Sequence, residues 1–91
     1  MKVDFDERKY CIVYIRGNNE TIVGIFDNVD DARSKMQRIK QENKRRKGVY
    51  EMIRTFVLPN GKLDIFNRDS IDYYCPEAED FLKHLLKELF V

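Results

Sequence analysis

The chain reads as an α+β protein in the order ββαββα: a four-stranded, mainly antiparallel sheet with two helices packed on one face. Three features predict this: β-rich runs separated by turn residues in each half, a capped helical segment between them, and a closing segment with strict helical periodicity. Neither hairpin can bury an apolar face alone, so a two-layer arrangement is the economical one. Strand order is left open by the pattern.

The first strand is Tyr10–Arg16, a run of β-branched and aromatic side chains suited to a pleated surface. Gly17-Asn18-Asn19-Glu20 tolerates positive φ, and Thr21–Phe26 resumes the β pattern at once, so the two runs form a hairpin. Asn28 then caps a helix by accepting a backbone N–H, while Asp30 and Asp31 meet the positive end of its dipole. Val29, Ala32, Met36 and Ile39 form its apolar stripe. The helix is expected from Val29 to about Arg45, with Gly48 as a left-handed stop.

Val49–Leu58 again reads as β, Pro59-Asn60-Gly61 as a turn, and Lys62–Phe66 as the fourth strand. Arg68–Cys75 is expected to be a polar and aromatic connection. Pro76 fits a first helical position, with Glu77, Glu79 and Asp80 in the first turn. Ala78, Phe81, Leu82, Leu85, Leu86 and Leu89 follow with i, i+3, i+4, i+7, i+8, i+11 spacing, the most regular pattern in the chain.

Ninety-one residues suit one small domain, taken as 1–91 with residues 1–8 as a flexible or loosely packed leader. A hydrophobic share of 43% with five Tyr and six Phe is enough to build a core. No apolar run reaches the roughly 18 residues of a membrane span, and the N-terminus lacks a signal-peptide layout, so no membrane role and a cytoplasmic location are expected. Few Ala beside abundant Lys, Asn, Asp and Ile suggest a low-GC bacterial or phage source.

The net charge of +1 conceals an asymmetry. From Arg33 to Lys47 eight basic residues face one acid, a local charge of +7. Arg33, Lys40, Lys44, Arg45, Arg46 and Lys47 are the candidate binding patch. At 100° per residue Arg33, Lys40 and Lys44 share one flank, with Gln37 between them. Such a cluster can neutralise phosphates, steer an acidic protein, or simply solvate a helix end.

Enzyme chemistry is not expected. Cys11 and Cys75 lack metal-ligand spacing, so free thiols, no metal and no cofactor are predicted. Cys75 precedes a helix start, where a dipole can activate a thiolate, but His84 falls off the apolar stripe and reads as a solvated neighbour of Asp80 and Glu88. No catalytic constellation or phosphate-cradling glycine loop is present. Tyr10, Tyr14, Phe56 and Phe66 could stack bases on a sheet face, but so small a protein needs aromatics for its core.

The first two strands carry large side chains on both faces, Ile12 and Tyr14 against Cys11, Val13 and Ile15. Helices on one face would leave the other open, unless a loop or the N-terminal leader covers it. The expected function is therefore a non-enzymatic protein-interaction module with an accessory or regulatory role. It would pair with itself as a homodimer through the sheet, or with a partner protein there or at the Arg33–Lys47 surface. The alternative is nucleic-acid binding through that basic surface.

Overall fold

Residues 7–42 and 47–89 are described by the structure, a computed structural model. The strands are β1 (Lys9–Arg16), β2 (Asn19–Phe26), β3 (Val49–Thr55) and β4 (Asp69–Tyr74); the helices are α1 (Val29–Glu42) and α2 (Pro76–Leu89). All neighbours pair antiparallel in the order β2-β1-β3-β4, which places β1 and β3 at the centre.

Asn28 caps α1 as its position predicts. Its Oδ1 accepts the Asp31 N–H at 2.9 Å. Ala32 and Met36 are buried on β1 and β2, flanked by Val29 and Ile39. Beneath them Ile12, Tyr14, Tyr50, Met52 and Tyr74 form the main core. Tyr14, Tyr50 and Tyr74 are cross-strand partners on β1, β3 and β4, with ring centroids 4.9 and 6.2 Å apart.

Beyond Thr55 the chain departs from expectation. Lys62–Phe66 is not the fourth strand, and Val49–Leu58 pairs in the sheet only to Thr55. The Pro59-Asn60-Gly61 turn does form, closed by a Gly61 N–H to Leu58 carbonyl bond of 2.8 Å, but only a single bridge, Val57 to Leu63, follows it. The fourth strand is the segment expected to be a connection, Asp69–Tyr74. Its polar residues suit an edge, where one row of backbone groups faces water. Both edge strands are bulged, at Val23 in β2 and Ile71 in β4, which twists them and interrupts further pairing.

The sheet face opposite α1 is not left open at its centre. The loop between β3 and β4 folds over it and buries Leu63 on Cys11, Val13 and Ile53, with Ile15 alongside. The expected open face narrows to its β2 margin, where Ile22 and Ile25 remain exposed. Leu63→Ala is expected to cost about 2 to 3 kcal/mol in urea unfolding. In a Cys75→Ser background it should also speed thiol labelling of Cys11, and unchanged labelling would show that Leu63 is not the cover.

α2 forms where its periodicity predicts, but only α1 packs against the strands. Among the described elements α2 makes no extended contact with any other. The molecule is 62 Å long and 29 Å across at its next widest. No described helix is long and apolar enough to cross a membrane.

Candidate functional site

Three surfaces present chemistry outward. The first is α2. Cys75 alone separates it from β4, fewer than the two to six residues with which strand-to-helix reversals are usually made. The helix therefore leaves the sheet rather than doubling back over it. Leu82 is 55% and Leu86 53% exposed, and Leu85 is exposed beside them. These three belong to the stripe that periodicity assigns to a buried face, and the described residues leave them exposed.

The second surface is the tip of the β3–β4 loop, where Ile65 and Phe66 are exposed, Phe66 to 87%. Asp64 fixes this tip. Its N–H donates to the Phe56 carbonyl at 3.0 Å. Its own carbonyl accepts the Thr55 hydroxyl and the Arg68 Nε–H, both at 2.8 Å. Its carboxylate accepts the Phe66 N–H at 2.8 Å and the Asn67 amide at 2.9 Å. Arg68 then clamps the loop to β2 through a two-pronged pair with Glu20, at 2.9 and 3.1 Å.

The side-chain bond from Asn67 and the backbone N–H of Phe66 hold the Asp64 carboxyl below its ordinary value of 3.8. A depressed carboxyl stabilises the fold fully above its unfolded value and loses that contribution as pH falls through the folded one. The Asp64 carboxyl, followed by NMR through the Phe66 and Asn67 amide shifts, should thus titrate below 3.8. A midpoint at or above it would contradict the capped geometry.

The third surface is a groove of about 420 Å³ between α1 and β4, lined by Arg33, Met36, Gln37, Lys40, Ile71 and Asp72. The flank formed by Arg33, Gln37 and Lys40 does face one common space. Lys40 Nζ sits 3.3 Å from the Asp72 carboxylate and 5.8 Å from the centre of the Tyr74 ring. Among the described residues no ion pair involves Arg33. Lys47 does not line this groove; its carbonyl accepts the Tyr14 hydroxyl at 2.5 Å, which ties down the start of β3. Lys44, Arg45 and Arg46 lie outside the described residues.

An opening of about 380 Å³ between β2 and α1, bounded by Thr21, Val23, Ile39 and Glu42, brings no catalytic set together among the described residues. Cys11 is buried, and loss of water around it pushes its thiol above the ordinary range, away from the reactive thiolate. Cys75 is half-buried, and the side chain of His84 lies outside those described. No group of three or more His, Cys, Asp or Glu among the described residues is placed to hold a metal.

Tyr10 and Tyr14 serve the core, whereas Phe66 does not. The loop pivot at Asp64 and the clamp from Arg68 are not among the residues that the sequence singles out. Asp64 followed by Asn67 was the one local signal, since short polar side chains often cap tight turns. No family model, no curated protein and no solved structure matches the chain.

Proposed function

We propose that the protein is a non-catalytic protein-interaction module whose principal binding element is the apolar face of α2. The observation that carries this is the exposure of Leu82, Leu85 and Leu86 on a helix that, among the described elements, makes no extended contact with its own sheet. Contiguous apolar surface of this kind is costly in water and marks a protein interface. The helix offers anchors at i, i+3 and i+4, the spacing with which an amphipathic helix fills a groove. The stapled Ile65-Phe66 tip is an additional contact, already ordered before binding.

The test replaces Leu82 and Leu86 with Glu together. Affinity capture from nuclease-treated native lysate, with light scattering in parallel, should show association by the parent chain and at least a tenfold weaker one for the variant. Equal recovery by both chains, or a parent that is monomeric and recovers nothing, would refute the proposal.

Nucleic-acid binding through Arg33, Lys40, Lys44, Arg45, Arg46 and Lys47 is the second reading. It is supported by the local charge of +7 over Arg33–Lys47, and opposed by Asp72, whose carboxylate already occupies Lys40 and would repel a phosphate. A gel shift that weakens steeply with salt, and on exchange of residues 44–47 for Glu, would favour it; no shift at low salt would remove it.

A further inference from the structure

We propose that α2 docks into the groove between α1 and β4 of a second copy of the chain, in a reciprocal two-fold exchange. This rests on the reading of α2 as a binding element and names its partner.

The first argument is reach. With Cys75 as the entire connection, α2 runs off the sheet rather than back over it, and a second molecule supplies the face that its leucines require. A short hinge between a finished sheet and an unpartnered helix favours exchange of that helix between identical chains.

The second argument is place. α1 packs chiefly on β1 and β2 and meets β4 at its margin, where Lys40 reaches Asp72 and the Tyr74 ring and a groove stays open beside Ile71. A two-layer ββαββα fold would seat its second helix there. The groove has an apolar floor, made by Met36 and by Ile71, the extra residue of the β4 bulge. A groove completed by an identical chain would have the same helix over the same floor, contributed in trans.

The third argument is charge. Arg33 and Lys40 rim the groove against the single acid Asp72. The sequence of α2 has four acids, Glu77, Glu79, Asp80 and Glu88, against two lysines, Lys83 and Lys87. With Lys40 engaged by Asp72, the rim's net positive charge is carried by Arg33, and it attracts a helix whose net charge is negative. Two-fold symmetry forms the contact twice, so one modest helix-in-groove contact is doubled.

Sedimentation of the full chain tests this with two kinds of variant, each verified as folded by circular dichroism. One kind alters the groove, by Arg33→Glu with Lys40→Gln or, leaving charge and core untouched, by Gln37→Trp to fill it. The other alters the helix, by Leu82→Glu with Leu86→Glu.

The parent should be a dimer, and each variant alone should dissociate at least tenfold more readily. An equimolar mixture of the two kinds should recover a weaker dimer, because the intact groove of one receives the intact helix of the other. A parent that stays monomeric to about 100 μM would overturn the inference. So would groove variants that dimerise as tightly as the parent. If the helix variant alone then dissociates, α2 is still the binding element and only its docking place is wrong.

Discussion

Ile12→Ala should lower the unfolding free energy by about 3 kcal/mol, close to the centre of the range for emptying a fully buried aliphatic site. Ile12 sits in the middle of the central strand β1, between Gly24 of β2 and Met52 of β3, in the cluster that includes Ala32 and Met36. It is completely buried, and both neighbouring strands hold its backbone in place, so the site cannot collapse to refill the space. A small domain has only about 5 to 15 kcal/mol in total, so the variant should stand near the edge of folding at 37 °C. Ile25→Ala on the exposed β2 margin removes the same atoms and should cost less than about 1 kcal/mol. Urea titration of the pair separates burial from strand propensity, and equal losses would contradict the placement of α1 over β1.

Gly48→Ala should cost nearly as much, about 2 to 3 kcal/mol, for two separable reasons. Its φ is +91°, a region that side chains with a Cβ adopt only under strain. A Cβ there would also lie 2.7 Å from the Tyr14 hydroxyl and 2.8 Å from the Ile15 carbonyl oxygen. The hydroxyl is held by the Lys47 carbonyl and the Ile15 oxygen belongs to the central strand, so neither moves cheaply. Gly17 provides the control: its φ is +62°, but nothing lies within 4 Å of a Cβ. Gly17→Ala should therefore show the backbone strain alone, about 1 kcal/mol. Thermal or urea unfolding that ranks Gly17→Ala as the more damaging would refute the close approach of Tyr14 to the α1–β3 connection.

The elements that could be read directly were those whose signals are local. Asn28 with Asp30 and Asp31 marks the start of α1, and Val29, Ala32, Met36 and Ile39 mark its buried face. The β1–β2 hairpin follows from two β-rich runs around Gly17-Asn18. β4 is hidden in the sequence because Asp69-Ser70-Ile71-Asp72 has an edge strand's polarity, while Lys62–Phe66 follows a stronger turn signal and resembles a strand. What decided between them was long-range: Leu63 is consumed as a plug over Cys11, Val13 and Ile53, and residues 69–74 complete the pairing with β3.

The same distinction governs the candidate surfaces. Helical spacing alone places Arg33, Lys40 and Lys44 on one flank with Gln37 between them; the structure sets Arg33, Gln37 and Lys40 against Ile71 and Asp72, and Lys44 lies outside the described residues. Periodicity also identified the apolar face of α2 without revealing its environment, because a stripe of leucines reads the same in a core and at an interface. The single-residue hinge becomes informative only once β4 is known to end at Tyr74. The Arg68–Glu20 clamp joins residues 48 apart and leaves no local trace.

The most direct test asks which chain the leucines of α2 touch. In an equimolar mixture of isotope-labelled and unlabelled protein, filtered NMR experiments separate contacts within one molecule from contacts between two. The Leu82 and Leu86 methyl groups should show intermolecular effects to Met36 and Ile71. Purely intramolecular effects from those methyls to the sheet would mean that α2 closes onto its own chain, and would contradict the proposed α2 interface.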